Sequence, residues 1–419
     1  EEHAQHYPHP GWVEHDPMEL WEKVLQSIKM ALKEAGATAS EIRCIGIDNQ
    51  GETCMLWNKN TGRPLYNAIV WQDRRMSRYA DELTESHGKV IREKTGLMAD
   101  SYFSGLKMKW IIDNVEGVKE CIDRGEALAG NIDSWIIWKL THGRVHVTDY
   151  STASRTMMLN INTGKWDDDI LDLLGIPKSI LPEICDSAME FGKTDPLDFF
   201  GASVPISGSV VDQQAALFGQ ACYSQGTIKC TYGTGCFMLM NTGSKPVFSK
   251  NGLLTTVAWG IKGKMTFALD GGIYITGAAT QWLRDGIKII KSAGETESMA
   301  LAAGDNGGVY FVPAFTGLAA PHWDSYARGT IVGITGGTTR EHLVRATLES
   351  IAYQVKDNLD VMNLDSSMPI TILRADGGAV VNKFLMQFQS DILGITVDVP
   401  VIKDTTALGA AQLAAYGIG

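Results

Sequence analysis

No run of this sequence is long and apolar enough to read as a membrane-spanning helix, and its polar, acidic start, EEHAQHYPHP, lacks the apolar stretch of a secretory signal. No CxxC pair is found among its 7 cysteines (44, 54, 121, 185, 222, 230 and 236), whose odd number and wide spacing do not make a disulfide framework. The expectation is free thiols in a soluble protein of the reducing cytoplasm. Positive charge is also short: 37 Lys and Arg face 48 Asp and Glu, a net charge of −11 that argues against nucleic acid as partner. It does not exclude a phosphate-bearing ligand, which local N–H dipoles and a metal ion bind regardless of overall charge. Short-period repeats and low-complexity segments are missing too. What is present is ordinary globular material, 44% hydrophobic and 20% charged over 419 residues, more than one core usually supports. Two domains are expected.

The pattern along the chain is strands then helices, given twice. Asp16-Pro17-Met18-Glu19 reads as a helix start, with Glu19 placed to close a capping box, and Leu20, Val24, Ile28 and Leu32 recur at helical spacing up to Gly36. Residues 42–47 read as a buried strand that ends at Asp48-Asn49-Gln50-Gly51-Glu52, and polar groups at a strand's end are where α/β folds place their sites. The stretch 210–241, VVDQQAALFGQACYSQGTIKCTYGTGCFMLMN, carries the most chemistry. Asp212 and Gln213 end an apolar run and open a helix, and two strands then turn through Gly233, Thr234 and Gly235. Glycines on both sides of a threonine let backbone N–H groups and a hydroxyl approach a phosphate, and a carboxylate nearby supplies a base. Further on, 263 is a hairpin turn, helices are expected at 278–289 and 340–362, a strand at 370–375, a tight turn at Asp376-Gly377-Gly378 and a helix at 382–393. Two mixed-sheet α/β domains meeting at a ligand cleft would account for the repetition.

Ten stretches in order, among them YNAIVWQDRR (66–75), YFSGLKMKW (102–110), RVHVTDYSTASRTM (144–157), DQQAALFGQ (212–220), YGTGCFMLMNTG (232–243), AFTGLAAPHWDSYARG (314–329) and DGGAVVNKFLMQFQSDILG (376–394), resemble the FGGY carbohydrate kinases, in particular the branch that phosphorylates glycerol. The resemblance implies two actin- and hexokinase-like (ribonuclease H-like) domains, residues 1–219 binding the polyol and 220–419 the nucleotide. It implies transfer of phosphate from ATP, with Mg²⁺, to a small polyol, glycerol before others. Asp212 would be the base. Gln213, Glu52 and Tyr102 would hydrogen-bond the hydroxyls, with Trp71 and Phe237 as apolar walls. Gly233 and Thr234 would contact the β- and γ-phosphates, and Gly277, Gln281, Gly378 and Asn382 would surround the nucleotide. Residues 407–410 resemble the helix at an interdomain hinge. Taken singly, each of these residues also has an ordinary structural role, Asp212 as a helix cap and the aromatics as core; their joint occurrence carries the reading.

The chain also departs from that branch. Its members have an amino-terminal phosphate loop before the segment matching Glu1, so the 419 residues are expected to be an inactive fragment, with the metal's protein ligand outside them. Gly51 stands where they have an arginine that contacts the polyol; a glycine there removes donors and opens space, which predicts weaker glycerol use or a larger polyol. Ser203 and Lys193 replace a regulatory Arg and His, implying a constitutive enzyme. Two other functions stay open: a kinase for another polyol or ketose, and a non-catalytic nucleotide-binding protein of the same fold. Whether it forms a homodimer or homotetramer is not fixed by the sequence.

Overall fold

The computed structural model describes residues 1–324 and 326–419, which divide into two compact units. The first comprises Glu1–Gly219, Thr256–Phe267 and Thr406–Gly419; the second comprises Gln220–Thr255 and Ala268–Thr405. Among the described residues no helix is long and apolar enough to cross a membrane.

In the first unit, helix α1 (Pro17–Ala35) starts where the sequence placed it. The Asp16 carboxylate accepts from the Met18 and Glu19 N–H groups at 2.8 and 3.4 Å, and Gly36, at φ 64°, ends the helix. The Glu19 carboxylate does not close a capping box; it accepts from the Ala4 N–H at 3.1 Å. Strand β1 (Ile45–Asn49) starts later than the apolar run at 42–47, because Ile42 caps a short 3₁₀ turn, Ala39–Glu41. Strand β2 (Cys54–Asn58) follows, then helix α2 (Ser104–Asn114) and strand β3 (Ala127–Asn131). Glu14–His15, Ala68–Ile69, β2 and β3 form, in that order, an antiparallel sheet. Strand β4 (Pro205–Val211) pairs antiparallel with Ala188–Lys193 on one side and parallel with β1 on the other, with Val211 opposite Asn49. The two parallel strands therefore end together. The turn Gln50-Gly51-Glu52 leaves one, and Asp212 opens helix α3 (Asp212–Gly219) directly after the other. Trp57, Trp135, Trp138, Phe199 and Ile206 lie in the core of this unit, with the Trp135 and Trp138 rings stacked at 5.7 Å. A Cβ on Gly46 or Gly208 would fall 2.2 Å from the Ala410 carbonyl oxygen or 2.6 Å from the Ala414 nitrogen, so both strands need glycine to let the chain's last helix pack on the sheet.

The second unit is built on a six-stranded sheet. Strands β5 (Ile228–Tyr232) and β6 (Cys236–Gly243) make the expected hairpin, closing with Tyr232 opposite Cys236. β7 (Leu254–Ile261) and β8 (Lys264–Ile273) turn through Lys262 and Gly263, at φ 53° and 71°, the left-handed pair that a two-residue hairpin requires, and the tip of this hairpin, Thr256–Phe267, is counted with the first unit. Helices α4 (Gly277–Asp285) and α5 (Arg340–Ser366), strand β9 (Ile372–Asp376) and helix α6 (Lys383–Leu393) follow, and the sheet order is β7, β8, β6, β5, β9 and Thr396–Asp398. β9 runs parallel to β5. Leu348, Ile351 and Val355 of α5 and Leu385 and Met386 of α6 pack with Cys230 and Met238 of the sheet. Helix α7 (Thr405–Gly417), which from Thr406 onward belongs to the first unit, ends the described chain near its last residue.

Candidate active site

Gly51, Glu52, Trp71, Tyr102, Asp212 and Gln213 all belong to the first unit. The strand ends bring Gly51 and Glu52 near Asp212: a Cβ on Gly51 would lie 2.8 Å from both methyl groups of Val211, the residue before Asp212. The Gly51 carbonyl accepts from Asn131 Nδ2 at 2.5 Å, and the Glu52 carbonyl accepts from the Ser104 hydroxyl at 3.2 Å. Asn131 also donates to Ser104 at 2.8 Å, so β3 and the start of α2 together hold the turn. The Glu52 carboxylate is buried and accepts from Arg155 Nε at 2.5 Å. Burial pushes the Glu52 carboxyl up and the neighbouring Asp212 charge adds to this, while Arg155 and Lys107 pull it back down.

Trp71 and Tyr102 are half-buried and meet edge to face, with ring centroids 5.9 Å apart. The Trp71 N–H donates to Thr53 Oγ1 at 3.3 Å, tying that loop to the residue after Glu52. Under Tyr102, the fully buried Lys107 donates to the carbonyls of Ser101, at 3.2 Å, and of Tyr102. Asp212 accepts at one oxygen from the Gln213 N–H at 2.7 Å and at the other from Gln213 Nε2 at 3.1 Å, which fixes the carboxylate at the head of α3. Phe237 stands apart from these six in the chain's division: it lies on β6 of the second unit, opposite Thr231, with its carbonyl accepting from the buried Lys229 at 3.2 Å.

The other six expected residues come together in the second unit. Gly233, Thr234, Gly277, Gln281, Gly378 and Asn382 line one cavity of about 420 Å³. The turn and helix α4 are locked to each other, since the Gly277 N–H and the Thr276 hydroxyl donate to the Gly233 carbonyl, each at 3.1 Å, and the Ala278 N–H to the Thr234 carbonyl at 3.1 Å. A Cβ on Gly277 would fall 2.5 Å from the Gly233 oxygen, so glycine is what lets the two approach. The Gly233 N–H, one of the donors the sequence offered for a phosphate, is instead spent on the Gly235 carbonyl at 2.8 Å. Opposite, Gly377 sits at φ 93° against the end of β5, and Gly378 has no atom within 4 Å of where its Cβ would be. Asn382 caps α6 through the Leu385 N–H and donates to Thr296 Oγ1 at 3.0 Å. Leu348, Ile351, Ala379, Val381 and Leu385 give the cavity an apolar wall, and Gln281, Thr296 and Arg284 give it polar edges. An apolar slot with a few polar groups and a glycine-lined mouth has the size and chemistry of a nucleoside phosphate site.

Sequence reasoning passed over Arg155, Lys107 and Asn131 near the first set, and Thr296, Glu297 and Arg284 around the cavity. Arg155 and Lys107 lie inside stretches that carried the family resemblance, and neither is adjacent in sequence to a residue given a role. The space expected beside Gly51 is also not there, because Val211 and Arg155 fill it.

Two α/β units, one with a carboxylate at paired strand ends and the other with a glycine-walled cavity, define a nucleotide-dependent kinase of the two-domain type. The profile of the FGGY family of carbohydrate kinases, N-terminal domain, matches residues 1–219, and that of the C-terminal domain matches residues 228–418. The chain belongs to the FGGY family of carbohydrate kinases. It is 61% identical over 419 residues to glycerol kinase 2 of Thermotoga maritima and 58% identical over 419 residues to a glycerol kinase of Caldanaerobacter subterraneus; each match covers 100% of this chain and 84% of the relative. Among solved structures it is similar to the Plasmodium falciparum glycerol kinase with ADP, at a TM-score of 0.91 and 40% identity, covering 100% of this chain and 84% of that one.

Proposed function

We propose that this protein transfers the γ-phosphoryl group of ATP to glycerol, giving glycerol 3-phosphate and ADP. One observation carries the reading: the chain is 61% identical along its whole length to a glycerol kinase, and the residues such chemistry needs fall into a polyol set and a nucleotide cavity. The first unit is the polyol-binding one, and the second the nucleotide-binding one. Asp212, held by Gln213, takes the proton of the attacking hydroxyl as the new O–P bond forms and the bond from the γ-phosphorus to the bridging oxygen of ADP breaks. Glu52, Gln213 and Tyr102 bind the hydroxyls, and the Trp71 and Tyr102 rings exclude water from the carbon chain, so that ATP is not lost to hydrolysis. Gly233, Thr234 and Gly277 hold the phosphate end of the nucleotide, and Gln281, Gly378 and Asn382 its nucleoside end. Mg²⁺ would accompany ATP and supply charge neutralisation at the transferring group. Seven free cysteines support a reducing compartment, the cytoplasm, as the place of work.

The alternative of a longer polyol rests on lost donors and on room beside Gly51; Val211 and the Arg155 stem lie where a Cβ would fall, which weighs against the second ground. Phosphorus NMR of the reaction mixture tests the proposal. Glycerol 3-phosphate is the expected product; ATP consumption without a glycerol ester, or faster esterification of a tetritol or ketopentose, would overturn it.

A further inference from the structure

Beneath the polyol set lies a buried cation to which nothing above assigns a task. Arg155 follows the short helix Tyr150–Ala153, is 4% exposed, and reaches Glu52 through its Nε. Its guanidinium carbon stands 5.5 Å from the Tyr102 ring centroid and 5.4 Å from that of Phe103. Its own carbonyl accepts from the Ser104 N–H at 3.4 Å, so one residue touches the Glu52 turn, the Tyr102 ring and the start of α2. The stem of the same side chain packs on Gly51, where a Cβ would lie 3.1 Å from Arg155 Cγ.

We infer that Arg155 is a positioning residue of the polyol site: it fixes the Glu52 carboxylate and the Tyr102 ring relative to each other, and Gly51 is glycine because the Arg155 stem and Val211 occupy the volume beside it. This rests on the reading that Glu52 and Tyr102 contact the polyol. A buried carboxylate without a cation is costly and takes up a proton or swings away, whereas a guanidinium hydrogen-bonded through Nε keeps it charged and holds it in one direction. Among the described residues Arg155, Lys107 and Asp212 are charged groups that face Glu52, and Arg155 hydrogen-bonds to it. At position 51, a larger side chain on a backbone pinned by Asn131 has to displace Val211 or Arg155.

The test is a double-mutant cycle on the full-length protein, with Arg155→Met, Glu52→Gln and both, reading the glycerol KM, the ATP KM and kcat separately. Arg155→Met should raise the glycerol KM by about tenfold to a hundredfold, the range in which ångström-scale misplacement of a site group falls, with the ATP KM changed less than about twofold. In the Glu52→Gln background its penalty should be clearly smaller, because the part that acts through Glu52 is already lost and only the part on the Tyr102 ring remains. Equal penalties in both backgrounds, or parallel rises in the glycerol and ATP constants, would overturn the assignment and leave Arg155 a general stabiliser. Should Arg155→Met fail to fold, Arg155→Lys in the same cycle keeps the charge and loses the Nε geometry; it should show a smaller rise in the glycerol KM and the same non-additivity, and additivity would overturn the proposal. Gly51→Arg should raise the glycerol KM, and a lowered one would overturn the packing half. Wild-type protein that does not turn over glycerol would defeat the polyol reading itself, an outcome distinct from additivity in an active enzyme.

Discussion

Asp133 shows how much the buried polar groups of the first unit depend on pH. Its carboxylate is wholly buried, accepts from the Thr148 hydroxyl at 2.7 Å, and is pushed up to about 7, first by burial and then by the charge of Asp149. An unfolded aspartate titrates near 3.9. Between roughly pH 4 and 7 the folded chain therefore keeps a proton that the unfolded chain has released, so this group's contribution to stability is whole at the acid end and falls as pH rises through the window. His146, pushed down to about 4 by burial, works in the opposite sense across an overlapping range, since the folded chain resists a proton the unfolded one takes up. Comparing Asp133→Asn with wild type isolates the first group from the second. Asparagine keeps an acceptor for Thr148, and its melting temperature should fall less than that of the wild type between pH 5 and 8. Parallel curves would count against the assignment. Residues such as Asp133 and Arg155 were not legible in the sequence, because their effect comes from partners distant in the chain. Asp212 and Gly233 were, because each stands where a periodic run breaks. Gly51 was legible as a departure, but the space beside it was not, since Val211 and Arg155 arrive from other elements.

At the scale of elements, the hairpin β5–β6 and helix α4 behave as one part. The carbonyls of Gly233 and Thr234 receive the first donors of α4, so any change that separates them also deforms the cavity mouth. Gly277→Ala places a Cβ 2.5 Å from the Gly233 oxygen. The expected result is a rise in the ATP KM of about tenfold or more with a smaller change in the glycerol KM, together with a melting temperature lowered by a few degrees; an unchanged ATP KM would contradict the part assigned to this junction. Element type was largely readable in advance. Asp16 and Gly36 bounded α1 through side-chain and backbone capping that is local by nature. Boundaries set by competition were less so: Ile42 has the apolar character of a strand residue but ends a 3₁₀ turn, and Glu19, in capping-box position, is drawn off by the Ala4 N–H. Gly233 likewise kept its turn and lost a donor to Gly235, a contact that only the folded hairpin creates.

Over the whole molecule, the expected site residues sort by the division of the chain. The six expected around the nucleotide line one cavity of the second unit, and Asp212, Glu52, Gln213, Tyr102 and Trp71, proposed as base, hydroxyl ligands and wall, belong to the first. The resemblance made these groupings readable as lists of positions. What it could not give is the support under them, Asn131, Ser104, Lys107 and Arg155, which is set by packing between segments far apart in sequence. The central claim is that Asp212 draws the proton from a glycerol hydroxyl as ATP delivers its phosphate. The most direct measurement is glycerol-dependent ADP release from MgATP by the full-length protein, wild type against Asp212→Asn. The account predicts turnover that requires glycerol and falls by about 10²- to 10⁴-fold in the variant, with its ATP KM little changed. ADP release indifferent to glycerol, or a variant as fast as wild type, would contradict it.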